Sequence, residues 1–296
     1  MPTAIPTVAP TPRSTALPQS EVAAVGSEER PLQIAIVANE TTDSEAIAAV
    51  EAAVLERGGL AVEFTPLASQ AEALSALCAS PSGEVVAAWL DGLGYAAAQA
   101  HACGDAGLVV ESDADDGLSA METINIIVGV SSDIESVSDL SGQTFCRISA
   151  TDAHTWLLPS IILQANGVNP INDLGDVEDY DDIESLVNAV ASGRCDGAGI
   201  DATALADAGD AADEVTVIDS VAVVRSVLIY PQEVNLTTRA RLNDALLATA
   251  TDEASAESLR LLIDQDNLRA AAANDFTALD SLLRRANIDL EQLGSP

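Results

Sequence analysis

The sequence predicts an α/β protein of two lobes, each a mostly parallel sheet flanked by helices, joined by two crossing strands. Three observations carry that expectation. Short apolar runs alternate with amphipathic helical stretches, as in sheets covered by helices on both faces. The alternation comes in two successive blocks. Two longer β-rich runs, INIIVGV (124–130) and VAVVRSVLIY (221–230), stand at the block junctions. A chain of 296 residues with 48% hydrophobic composition is large enough to bury such a core.

LQIAIVA (32–38) reads as a strand, and SEAIAAVEAAVLERGG (44–59) as a helix closed by Gly58 and Gly59. LAVEFTPL (60–67), QAEALSALCAS (70–80), EVVAAWL (84–90), GYAAAQAHACG (94–104) and AGLVVES (106–112) continue the alternation. INIIVGV opens a second block that runs to EVTVID (214–219), after which VAVVRSVLIY returns to the first lobe. Beyond Pro231, three segments with apolar residues at three and four spacing predict helices that pack back on the first lobe. The expected organisation is a linker over 1–30, a first lobe from 31–123 with 222–296, and a second lobe over 124–221. Residues 1–30 are a disordered linker by composition, rich in Pro and Thr without helical or strand period. Leaders of this kind tether surface lipoproteins, so the expectation is an exported, lipid-anchored protein.

The net charge of −35 excludes nucleic acid as a partner, because phosphate backbones are bound by basic surface. All twelve basic residues are arginine. Two readings of this composition stay open: a hydrated surface suited to high salt, or a bias in codon usage. No apolar run is long enough to span a bilayer.

Cys78, Cys103, Cys146 and Cys195 contain no C-x-x-C, and with only two histidines a metal cage is not expected. Their placement suggests one disulfide per lobe, Cys78 with Cys103 and Cys146 with Cys195, in an oxidising compartment. Four free thiols are the alternative. ESDADDG (111–117) misses the ligand spacing of a calcium loop, and Gly92-Leu93-Gly94 lacks the third glycine of a dinucleotide turn, so no cofactor is expected. His154 beside Asp152 has no identifiable nucleophile, and the chain is not read as an enzyme.

Several segments carry a resemblance to a known family. In the first half these are ALSALCASPSGEVVAAWLDGLGYAAAQAHACG; in the second, SDLSGQTFCRISATDAHTWLLPSIIL, with Pro159 early in its helix, and the tail DALLATATDEASAESLRLLI with RANIDLEQL. This pattern resembles the phosphate, phosphite and phosphonate-binding family, the solute-binding components of ABC importers, over nearly all of 32–290. The resemblance implies a type II periplasmic-binding-protein fold, a small ligand in the cleft between the lobes, and an ABC permease as partner. It further implies a monomer outside the cytoplasm.

The same resemblance fails at the anion site. Relatives carry a Ser-Thr-Ser-Gly loop whose hydroxyls and amides hold an anion at a helix N-terminus. This chain has Asp152, Ala153, His154 and Thr155. Relatives show Gly-Ser-His-Asp ahead of the next helix; here stand Asp181, Asp182, Ile183 and Glu184. A carboxylate about 4 Å from a phosphoryl oxygen repels it by roughly 4 kcal/mol at an effective dielectric near 20. The expectation is a cationic or zwitterionic ligand, with Tyr95, Trp156 and Tyr180 supplying aromatic faces. The expected cleft residues are Thr41, Thr42, Asp91, Tyr95, Asp152, His154, Thr155, Asp182 and Asp201, at strand ends and helix starts. Helix capping by the same aspartates is the competing reading. A degenerate binding domain that senses or docks to a partner is the competing function, with a small hydrolase or transferase behind it.

Overall fold

A computed structural model describes residues 24–38, 42–79, 86–114, 117–252, 254–263 and 267–288. The first lobe alternates as expected: β1 (Leu32–Val37), α1 (Ser44–Gly58), β2 (Val62–Leu67), α2 (Gln70–Cys78), β3 (Val86–Leu90), α3 (Gly92–Ala100) and β4 (Asp105–Ala114). A short strand β5 (Gly117–Ser119) folds back on β4, so residues 112–114 of the acidic run pair with 117–119, and Glu111 is bound to Arg269. The second lobe follows as β6 (Met121–Gly129), β7 (Thr144–Arg147), α4 (Leu158–Ala165), β8 (Asp176–Asp179), α5 (Ile183–Ala191), β9 (Gly197–Asp201), α6 (Ala202–Ala206) and β10 (Val215–Val224). The chain then returns through β11 (Val227–Tyr230), α7 (Leu236–Ala250), α8 (Ala256–Ile263), β12 (Asn267–Ala270) and α9 (Thr277–Ala286).

The first sheet runs β12-β4-β11-β3-β1-β2, parallel from β3 through β1 to β2 and antiparallel from β3 through β11 and β4 to β12. The second runs β10-β6-β9-β7-β8, with β9, β7 and β8 parallel and β6 and β10 antiparallel to their neighbours. Strands β1, β3, β6 and β9 are nearly all buried, which is why they read as unbroken apolar runs.

Three features differ from the sequence expectation. VAVVRSVLIY does not form one strand: it breaks at Arg225 and Ser226, where the chain passes between the sheets. There the Arg225 amide donates to Ala120 O at 3.1 Å and the Val110 amide to Ser226 O at 3.1 Å, so the two connecting segments run side by side. Second, the C-terminal region contains an edge strand, β12, and its helices do not share one partner. Helices α7 and α8 lie on α1, whereas α9 inserts Leu279, Leu282, Leu283 and Ala286 into the second lobe's core beside Ile161 and Ile162 of α4. An apolar stripe shows that something covers a helix face without specifying what. Third, residues 24–30 are not linker. They form a tight turn in which the Gly26 amide donates to Arg30 O and the Ala61 amide to Gly26 O, both at 2.8 Å, with Val25 against the core. Residues 1–23 lie outside the described residues.

The disulfides are Cys78–Cys103 and Cys146–Cys195, one per lobe as expected, with Cα separations of 4.8 and 6.0 Å. The first joins the ends of α2 and α3. The second joins β7 to the turn before β9, inside a cluster with Leu186, Val187 and Val190.

Candidate functional site

A cavity of about 330 Å³ lies where the lobes meet, and both lobes and both connecting segments line it. Gln70, Asp91, Gly92 and Leu93 come from the first lobe, Ala153, His154 and Leu158 from the second. Glu122 and the segment Val223–Arg225 form the hinge wall.

Asp91 sits at the C-terminal end of β3 and caps α3, its Oδ1 accepting from the Gly94 amide at 2.6 Å. The adjoining Gly92 has to be glycine, because a Cβ there would stand 2.8 Å from Val224 O on the connecting segment. Burial pushes the Asp91 carboxyl above the usual carboxylate range; the Gly94 hydrogen bond offsets part of that and the charge on Glu122 adds to it. Asp91 forms no ion pair among the described residues.

His154 is placed by an unusual turn. Residues Ala153–Leu157 form a π-type turn leading into α4, with the amides of Trp156 and Leu157 both donating to Asp152 O. Pro159 cannot donate to a carbonyl one turn back, and the widened turn accommodates it. On the other side, Gly199 in β9 makes room for the Pro159 ring, with which any Cβ at that position would collide. His154 Nε2 thereby reaches Glu122 Oε1 at 3.2 Å. That hydrogen bond raises the imidazole pKa against the opposing effect of burial, and the charges on Glu122, Asp152 and Asp201 add to the rise.

Glu122 links the groups. Its side chain is only 4% exposed, and its second oxygen lies 3.6 Å from Arg225 Nη1. The Arg225 Nε is buried without a hydrogen-bond partner.

Of the residues expected in the cleft, Asp91 and His154 line the cavity. Asp152 does not; its Oδ1 accepts from the amides of His154 (3.1 Å) and Thr155 (2.7 Å) and from the Thr155 hydroxyl (2.7 Å). The capping reading is the one its geometry fits. Thr155 is buried and also accepts from the Ile148 amide at 3.0 Å, so its hydroxyl is used inside the lobe. Asp201 caps α6 and its charge reaches His154, but it is not on the cavity wall. Asp182 caps α5 on the far side of the second lobe, facing a separate acidic surface groove with Glu184 and Asp207, because α5 follows the edge strand β8. Thr42 lies just before the Asp43 cap of α1, away from the cavity lining, and Thr41 lies outside the described residues.

The expected aromatic faces do not assemble either. Tyr95 stacks on Phe276 with ring centroids 4.0 Å apart, Trp156 carries Arg147 at 4.4 Å, and Tyr180 lies against the second disulfide. The sequence reading missed Gln70, Glu122 and Arg225 as cleft residues. The available signal was a single charge within an otherwise apolar β run, Arg225 in VAVVRSVLIY and Glu122 just ahead of TINIIVGV.

The model for ABC transporter, phosphonate, periplasmic substrate-binding proteins matches residues 34–276. The chain belongs to that family. As a member it is a substrate-binding component of an ABC transporter and not an enzyme; such proteins act outside the cytoplasm, bind small ligands and dock with a permease. No curated protein matches the chain. Among solved structures, a Xanthomonas citri protein bound to ATP is 16% identical with a TM-score of 0.63, covering 90% of this chain and 98% of its own. A binding-protein component of an ABC phosphonate transporter from Pseudomonas aeruginosa is 15% identical, with a TM-score of 0.56 and 87% of each chain covered. PhnD1 from Prochlorococcus marinus in complex with methylphosphonate is 13% identical, with a TM-score of 0.56, covering 86% of this chain and 98% of its own. At these identities the likeness extends to the two-lobed fold alone. No helix among the described residues is long and apolar enough to cross a membrane.

Proposed function

We propose that this family member receives a small ammonium-bearing solute, cationic or zwitterionic, in the interlobe cleft and passes it to an ABC permease as the lobes close. The observation that carries the reading is Asp91: a partly buried carboxylate in the cavity wall, on the first lobe, with no ion-pair partner among the described residues. The other acid of the cleft, Glu122, already has His154 and Arg225 beside it. A ligand ammonium would supply the charge that Asp91 lacks, and closure on it would bring the second lobe against the same ligand. At about 4 Å and an effective dielectric near 20, such a pair gains roughly 4 kcal/mol, a factor on the order of a thousand in affinity. The Pro- and Thr-rich N-terminal stretch supports a tether that holds the binding lobes near the membrane.

A thermal-shift screen of amines, amino acids, thiamine-like cations, phosphonates and sulfonates tests the reading, followed by titration of the best compound against Asp91→Asn. Stabilisation by an ammonium compound, lost in the variant, is expected. Stabilisation by methylphosphonate with none by any amine would overturn it. A cleft that responds to no compound would favour the sensor reading, for which the direct contact of Glu122 with His154 is the supporting observation.

A further inference from the structure

We propose that Glu122 is a resident anion that sets the charge specificity of the cleft: its carboxylate occupies the place an anionic ligand would take between His154 and Arg225. The inference rests on the cleft being the solute site and deepens that reading by naming the residue that excludes anions.

An imidazole and a guanidinium from separate elements converge on this one carboxylate. His154 comes from the π-type turn of the second lobe, with Nε2 3.2 Å from Oε1. Arg225 comes from the segment between the sheets, with Nη1 3.6 Å from Oε2. Glu122 begins neither a helix nor a turn and caps nothing; its side chain points into the cavity from β6 and is 4% exposed. A carboxylate so buried is costly unless its charge is met, and here it is met by the groups that would otherwise bind an external anion. The match is incomplete. The Arg225 contact is longer than a hydrogen-bonded pair, and its Nε, buried and unpartnered, remains a donor with no acceptor.

The surrounding charges support the assignment. Asp91, at the start of α3, acts on Glu122 and His154, and the charges of Asp152 and Asp201 also reach His154. Asp152 holds the two amides at the start of the turn, so no free helix end is offered to an anion. An arriving phosphonate would meet His154 and Arg225, 45% and 26% exposed, with the Glu122 carboxylate already set between them and Asp91 nearby. Removal of the Glu122 charge leaves His154 and Arg225 aimed at the cavity without a counter-charge, and Gln keeps the side chain's size and one acceptor for Arg225.

The experiment is calorimetric titration of wild type, Glu122→Gln and Glu122→Gln/Arg225→Gln with methylphosphonate and with inorganic phosphate, each protein checked for folding by circular dichroism. The expected result is binding by Glu122→Gln at least about tenfold tighter than wild type, weakening as pH rises and His154 loses its proton, and lost again in the double variant. If Glu122→Gln does not fold, Glu122→Asp serves. The shortened carboxylate retracts from both cations, and a gain of anion binding is expected there too, smaller than in a full charge removal. A folded variant that binds neither anion better than wild type overturns the proposal. Titration of wild type with the best amine separates the two ideas. Amine binding without anion gain in the variant refutes the role of Glu122 alone, and anion gain without wild-type amine binding refutes the ammonium reading alone.

Discussion

Removing the two disulfides one at a time should destabilise the lobes unequally, and the expected difference follows from where each bridge sits. Cys78–Cys103 spans 25 residues and Cys146–Cys195 spans 49. Loop-closure entropy then assigns about 3.5 kcal/mol to the shorter and about 4 kcal/mol to the longer. Packing widens the gap. Cys146 and Cys195 are 0% and 1% exposed among Leu186, Val187 and Val190, so replacing both by Ala also leaves a small cavity costing about 1 kcal/mol. Cys78 and Cys103 are only partly buried and lose less packing. The two tryptophans allow each lobe to be followed: Trp89 lies in β3 of the first lobe and Trp156 beside Phe145 in the second. In urea unfolding monitored by fluorescence with Trp89→Phe or Trp156→Phe as background, Cys146→Ala/Cys195→Ala should lower the stability reported by Trp156 by about 5 kcal/mol. Cys78→Ala/Cys103→Ala should lower that reported by Trp89 by about 3.5 kcal/mol. An equal or smaller loss for the buried pair would refute the reasoning, because both the longer loop and the cavity act in the same direction.

Three further outcomes follow from side chains whose partners are known. Asp152→Ala should lower stability by about 1–2 kcal/mol in thermal or urea unfolding, since it deletes a cap that accepts three hydrogen bonds, while amine affinity shifts by less than about fivefold; a large loss of affinity at unchanged stability would return Asp152 to the ligand site. Arg269→Ala should cost about 2–3 kcal/mol, because Asp275, 5% exposed, loses its two-point partner and Glu111 loses its own, an effect moderated by an arginine that is 35% exposed. His154 has a folded-state pKa raised above its unfolded value, so its contact with Glu122 stabilises fully below the ordinary histidine range and is lost as pH rises through the raised pKa. Melting temperatures from about pH 5.5 to about pH 8.5 should therefore fall more in wild type than in His154→Gln, and parallel curves would remove the contact from the energetics.

Element order was legible because its signals are local. The run LQIAIV, the stripe of SEAIAAVEAAVLERGG with its Gly59 stop, and the aspartates ahead of α3, α5 and α6 each act within one or two turns of chain. Strand β12 escaped notice because NLRA is short, half-buried and carries a charge, and its pairing with β4 is decided by a segment more than 150 residues away.

The candidate site was legible only in part, for the same reason. Asp91, Asp152, Asp182 and Asp201 look alike in sequence, each an aspartate before an apolar helix, and all four do cap. Only Asp91 also faces the cleft, because β3 is central in its sheet and ends beside the connecting segments, whereas β8 places Asp182 at an outer edge.

By itself, then, the sequence determined the alternating α/β elements and the resemblance to the family, and it suggested the cysteine pairs and offered capping as one role of the aspartates, all of which depend on spacing along the chain. Tertiary structure alone decided that α9 crosses to the second lobe, and that Glu122, His154 and Arg225, from a strand, a π-type turn and an inter-sheet segment, meet at one point. Their encounter depends on β6 pairing with both β9 and β10 and on Gly199 admitting Pro159. Charges brought together by such long-range pairing leave no periodic trace in the sequence, and they are the charges to which we assign the choice of ligand.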